Sequence, residues 1–314
     1  MIRIEALSAR PSSKGKSGLS KLDFSIPARK VVGLIGPIGA GKGGLLKVLA
    51  GGQKAKEGRF YLDGEALTPK APRWRQDVAL ASADLSYPSA GTVWERLLRK
   101  LESPHLSRSK VTPSERAEAV LRDLELWERA QASFSHFSPA ERWRLSIALN
   151  LLSGPRCLLL EEPSSIGVDE LAAALGCLAS VAASGTTCVL ATASDVPSAF
   201  FDELCILDGG CLVANGAPQE LAESQSLPPQ ISIPRSPASE ELVDETIMEG
   251  FVWADGPRKT FMSALPEDIR VEDFYAMMRA QGLERGFASL QPPSVGTLFQ
   301  AFTGRALEEN SIAH

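Results

Sequence analysis

Histidine is scarce in this chain. There are three in 314 residues, at positions 105, 136 and 314, too scattered to build a histidine-based metal site. The five cysteines (157, 177, 188, 205 and 211) form no C-x-x-C pair and no metal-like spacing, so they read as reduced, mostly buried thiols. No apolar run approaches the ~18–20 residues that span a bilayer, so any membrane crossing falls to another chain. The N-terminus Met1-Ile2-Arg3-Ile4-Glu5 alternates like a strand and lacks a signal-peptide core. Basic charge is not in excess either. Lys and Arg total 33 against 38 Asp and Glu, a net charge of −5 that argues against nucleic acid as a partner.

What is present is ordinary globular material, 44% hydrophobic and 23% charged, enough for a substantial core. Residues 1–225 alternate strands and helices, which predicts an α/β parallel sheet with covered faces. Apolar runs place strands at 1–7, 22–26, 31–35, 58–63, 78–81, 157–160, 187–191, 203–207 and 211–214. Helical spacing covers 45–50, 92–103, 113–130, 138–153 and 169–184. A Pro/Ser-rich stretch at 224–240 reads as a boundary. Beyond it, residues 226–314 suggest strands at 231–233, 250–254, 259–263 and 287–290, with helices at 238–247 and 267–281. That βαββαβ order predicts a small α+β, ferredoxin-like extension, followed by a last helix at 294–303.

The chemistry concentrates after the run Val31–Ile35. Gly36, Pro37, Gly39, Gly41 and Lys42 form a glycine-rich turn between a buried strand and a helix. Such a loop aims backbone N–H groups and a helix N-terminus at one spot, a cradle for nucleotide phosphates that Lys42 can reach. A loop that works with Mg²⁺ carries a Ser or Thr hydroxyl after the lysine. Here Gly43 stands there, with Gly44 behind it. Further on, the strand Leu158-Leu159-Leu160 delivers Glu161 and Glu162 at its end. In phosphoryl chemistry the first such carboxylate holds the metal shell and the second orients water. Two plain strand-end carboxylates are the alternative. Just upstream, Phe137-Ser138-Pro139-Ala140-Glu141 opens a long helix. Ser138 can act there as a phosphate contact, or as a helix cap completed by Glu141. Trp74 and Trp143 read as packing residues.

Over residues 1 to about 220 the chain resembles the nucleotide-binding subunit of ATP-binding cassette (ABC) transporters. Walker A falls on 36–43, the signature on 137–141, Walker B on 158–162 and the switch on 190–195. The tail 294–307, with Phe302-Thr303-Gly304, resembles that of the drug-, lipid- and polysaccharide-exporter branch. The resemblance implies a P-loop cassette over 1–225, with a helical signature subdomain at about 85–150 and an extension at 226–314. It implies ATP and Mg²⁺ as cofactors. It also implies an integral membrane permease and a second cassette as partners, and a peripheral place on the cytoplasmic face of the plasma membrane.

The same alignment shows departures. The metal-ligating hydroxyl is Gly43, the Q-loop glutamine falls on Ala83, and both signature glycines are replaced. The Walker B aspartate is Glu161, the switch histidine falls on Ser194 or, one residue earlier, on Ala193, and no adenine-stacking aromatic stands at 10–18. Glu162 is the catalytic candidate and Glu161 the metal candidate. Ser138 and Glu141 are the signature residues. The expectation is a cassette with weak or no hydrolysis at its own site, paired with a different cassette rather than with itself. A scaffold without nucleotide and a nucleotide kinase are the alternatives.

Overall fold

A computed structural model of the chain describes residues 1–11, 17–81, 91–102, 112–163, 165–234, 236–247, 251, 254–256, 260–264 and 269–307. β1 (Ile2–Ala9) and β2 (Leu19–Ile26) pair antiparallel, each alternating buried and exposed residues. β3 (Val31–Ile35) is buried along its whole length and feeds the glycine-rich loop and α1 (Lys42–Leu49). β4 (Glu57–Leu62) and β5 (Glu65–Ala66) return to the first sheet, whose order is β2-β1-β4-β5. After α2 (Pro72–Asp77) comes β6 (Val78–Ala81), then the helices α3 (Val93–Leu101), α4 (Pro113–Asp123) and α5 (Pro139–Leu151). β7 (Cys157–Glu161), α6 (Val168–Ala183), β8 (Thr187–Thr192), β9 (Glu203–Asp208), β10 (Cys211–Gly216) and α7 (Pro218–Ser224) complete the first part. Its second sheet runs β10-β9-β3-β8-β7-β6, parallel throughout except for β10 at the edge.

α3, α4 and α5 start alike. Thr92, Thr112 and Ser138 each accept the N–H three residues on, and Glu95, Glu115 and Glu141 reach back to the cap N–H. One core lies between α1 and the two sheets. It includes Trp74, whose Nε1 donates to the Leu49 carbonyl at 2.7 Å and whose ring meets Phe60 edge-on. The other core holds Trp143 together with the helices on the far face. Both tryptophans pack as expected.

After α7 the elements are β11 (Gln230–Pro234), α8 (Pro237–Ile247), β12 (Ala254–Gly256), β13 (Thr260–Ala264), α9 (Val271–Ala280) and β14 (Ser289–Gln291). Their antiparallel sheet runs β12-β13-β11-β14 and has its own small core around Ile231, Ile233, Phe251 and Phe274. α10 (Val295–Thr303) then returns to the first part, burying Val295, Leu298 and Phe299 beside Val196, Phe201 and Ile206.

Several elements differ from the sequence reading. The helix expected at 113–130 stops at Asp123. Glu125 is left-handed (φ 54°), and Leu126 N–H bonds back to the Leu121 carbonyl. Burying Leu121, Leu124 and Leu126 together breaks the helical path. α2 and α7 were not expected, being short and led by a proline. β12 occupies 254–256, overlapping only the last residue of the strand expected at 250–254.

Four cysteines are buried and Cys211 is exposed. Burial pushes the Cys157 and Cys205 thiols up to about 12 and raises Cys177 and Cys188 as well. Native alkylation at neutral pH is therefore expected to modify Cys211 and spare the others, as intact mass would register. Labelling of several cysteines in the folded chain would contradict this packing.

Candidate functional site

β3, β8 and β7 lie side by side, so the loops at their C-terminal ends converge. These loops carry the phosphate-loop glycines, Glu161 with Glu162, and the switch segment Ala193–Asp195. Gly36 is held tightly. A Cβ there would lie 2.2 Å from the Leu207 carbonyl oxygen, which belongs to a strand and cannot give way. Gly36→Ala is expected to destabilise the chain by ~1–3 kcal/mol, measurable by denaturant unfolding. Gly41 caps α1 with φ 103°, a conformation that glycine takes without strain.

The N–H groups of Lys42, Gly43 and Gly44 precede the first intrahelical bond of α1, from Leu45 N–H to the Gly41 carbonyl at 2.9 Å. No side chain caps this terminus and no acid stands in its first turn. It is an anion-ready helix end. Lys42 Nζ donates to the carbonyls of Gly36 and Pro37, the latter at 2.9 Å, so the ammonium already stands over the loop.

The two Walker B carboxylates differ in environment. Glu162 accepts from Thr192 Oγ1 at 2.5 Å, from Ala193 N–H at 3.2 Å and from the Ser194 hydroxyl. Ser194 stands where a switch histidine was expected, and it ties the carboxylate down. The Glu161 side chain has no hydrogen-bond or ion-pair partner among the described residues, and its Oε1 reaches toward Gly43. A Cβ on Gly43 would lie 2.8 Å from that oxygen.

Ser138 and Glu141 are spent on each other. Glu141 N–H donates to Ser138 Oγ at 3.2 Å, and Ser138 N–H donates to Glu141 Oε2 at 2.8 Å. Arg129 pairs with Glu141 at 3.1 Å and lies over the Phe137 ring. Pro139 at the first helical position has no N–H to offer. The start of α5 thus carries its own anion, and the capping reading of Ser138 describes its contacts. Ser138→Ala is expected to cost ~1 kcal/mol of stability, read in a melting curve.

Sequence reasoning missed the contact that joins the tail to the switch. Gly296 N–H donates to Asp195 Oδ1 at 2.7 Å, and Val295 N–H donates to the Val196 carbonyl at 3.0 Å. A Cβ on Gly296 would lie 2.6–2.8 Å from the Asp195 carboxylate. The tail helix therefore grips the segment whose preceding residues hold Glu162. Gly296→Ala would lose a charge-assisted hydrogen bond of ~1.5–3 kcal/mol against a helix-propensity gain of ~1 kcal/mol. A net loss is expected in denaturant unfolding, with no loss for Gly286→Ala, where a Cβ would meet nothing within 4 Å.

The ABC transporter family model matches residues 19–165. Among curated relatives, a Nod factor export ATP-binding protein I from Cupriavidus metallidurans is 30% identical over 66% of this chain and 68% of its own length. The chain belongs to the ABC transporter family. The protein of the same name from Cupriavidus pinatubonensis is 31% identical over 66% of this chain, a stretch that spans 64% of the relative. A Rhizobium johnstonii protein, again named Nod factor export ATP-binding protein I, is 27% identical over 98% of this chain and 97% of its own length. Among solved structures, the Clostridium perfringens cassette described as part of the ABC transporter complex cbiONQ matches with a TM-score of 0.61 at 19% identity. It covers 79% of this chain and 94% of that one, a likeness of fold. ABC membership removes the nucleotide-kinase alternative.

Ala83, the expected Q-loop position, lies outside the described residues. No helix among the described residues is long and apolar enough to cross a membrane.

Proposed function

We propose that this chain is the ATP-binding subunit of a membrane export complex. It works beside a different, complete cassette and an integral membrane permease on the cytoplasmic face, and hydrolyses weakly or not at all at its own site. The observation that carries this reading is the capture of Glu162 by Thr192, Ala193 and Ser194. A general base must reach the proton it accepts. This carboxylate accepts three donors from its own chain and has lost the histidine partner.

Binding can outlast turnover. The N–H groups of residues 42–44 and the Lys42 ammonium suit nucleotide phosphates, and the approach of Glu161 Oε1 to Gly43 supports it as the metal candidate beside them. Mg²⁺, when bound, neutralises phosphate charge. The names of the relatives, Nod factor export ATP-binding proteins, support an export role.

Two assays test the reading. Equilibrium nucleotide binding by the purified chain should be measurable and should weaken at least about tenfold in Lys42→Ala, a difference of ~1.4 kcal/mol. Crosslinks placed at residues 83–100 in native membranes should capture an integral membrane protein. Absence of nucleotide binding would favour a scaffold. Crosslinks only to soluble proteins would remove the permease from the account.

A further inference from the structure

We infer that Glu161 takes over the duty of the missing hydroxyl at position 43 as a direct ligand of the divalent cation that accompanies the nucleotide, an inference that rests on the nucleotide-binding reading above. Two departures from the family pattern meet at one point. Position 43 has lost its side chain, and the acid at the end of β7 has gained a methylene. The glutamate oxygen uses the space so released, 2.8 Å from where a Cβ would stand on Gly43, with the carboxyl carbon at 3.8 Å. The neighbouring Gly44 meets nothing within 4 Å, so the approach is specific to position 43.

Glu161 is well anchored for this role. Its backbone pairs with Ala191 in the parallel ladder between β7 and β8, while the side chain is half-buried. Glu162, one residue on, is fully engaged by the switch. Glu161 alone presents an uncommitted carboxylate to the phosphate loop among the described residues.

Charge then decides what the carboxylate does. Two like charges within a few ångströms repel, and more strongly at a partly buried site than in bulk water. A bare carboxylate beside the phosphate cradle would oppose the ligand that the loop and Lys42 attract. A divalent cation between them turns the repulsion into attraction. Mg²⁺ is held at nucleotide sites by one or two carboxylates, phosphate oxygens and water. No group of three or more His, Cys, Asp or Glu side chains that could hold a metal exists among the described residues, so the ion depends on the nucleotide and the site forms only as a ternary complex.

The pair has a reciprocal test. Aspartate at 161 opposite Gly43 leaves the ion short of a ligand, and serine at 43 crowds the longer glutamate. Each single change should harm metal dependence, and Gly43→Ser with Glu161→Asp should restore it by exchanging one arrangement for the other. The experiment measures binding of a fluorescent ATP analogue to the full chain in excess Mg²⁺ and in EDTA. Electron paramagnetic resonance of Mn²⁺ with ADP is the second readout. The wild-type chain should bind at least about tenfold more tightly with Mg²⁺ and should hold Mn²⁺ only when ADP is present. Glu161→Asp and Glu161→Gln should lose most of both effects, and the double variant should recover them. Equal wild-type affinity in Mg²⁺ and EDTA, or full Mn²⁺ occupancy in Glu161→Gln, would overturn the inference and leave the nucleotide-binding reading intact. No nucleotide binding under any condition would remove both.

Discussion

Purified alone, the chain is expected to turn over ATP at least about a hundredfold more slowly than ~1 s⁻¹, the low end of ordinary enzyme turnover. Losing one positioned group in such a site costs ~3–4 kcal/mol of transition-state stabilisation. Each ~1.36 kcal/mol is tenfold in rate, so a single loss already exceeds a hundredfold. Here the losses act together. Gly43 offers no hydroxyl, Glu162 is held by three donors, and a serine, Ser194, stands where the family resemblance implies a histidine. The start of α5 offers a capped serine and a proline in place of free N–H groups. Gly43→Ser alone should recover little, because Glu161 Oε1 crowds the new side chain and the other defects remain. A phosphate-release assay with Lys42→Ala as control checks this. Robust, Lys42-dependent turnover by the isolated chain would refute it.

The second large effect belongs to the assembled complex. Cassettes of this family pair head to tail, each composite site joining one chain's Walker loop to the other's signature. In the proposed pair, a complete partner would bring its own hydroxyl, glutamine and histidine to one of the two sites. The second site would be left with Lys42, Glu161 and the tied Glu162. Substituting alanine for the partner's Walker lysine should therefore cut ATP hydrolysis by the complex at least about a hundredfold, a barrier change of ~2.7 kcal/mol. Lys42→Ala should cost no more than about tenfold, through lost binding and pairing. Equal collapse in both variants would mean that the two sites share the chemistry.

Much of the fold and of the site is legible in the amino-acid sequence alone. The buried strand 31–35, the loop and the acidic strand 157–161 follow from apolar runs and glycine spacing, because a covered parallel sheet leaves few other homes for such segments. The cap at Ser138 with Glu141 is legible for the same local reason, since both partners lie within one helical turn. The pairing of Gly43 with Glu161 is not. Each departure is visible in sequence, but only the strand order brings α1 and the end of β7 together. The grip of Gly296 on Asp195 spans 101 residues, and no local pattern announces it. The end of α4 is misplaced by sequence because leucine spacing through residue 126 looks helical, although those leucines are buried by a left-handed turn.

The most direct test of the central claim is the native mass of the detergent-extracted complex, with each cassette identified by its peptides. The account predicts one copy of this chain, one copy of a different cassette with an intact Walker loop and switch histidine, and membrane subunit. The second cassette can be separate or fused to that subunit. A complex holding two copies of this chain and no other cassette, with transport abolished by Lys42→Ala, would contradict it.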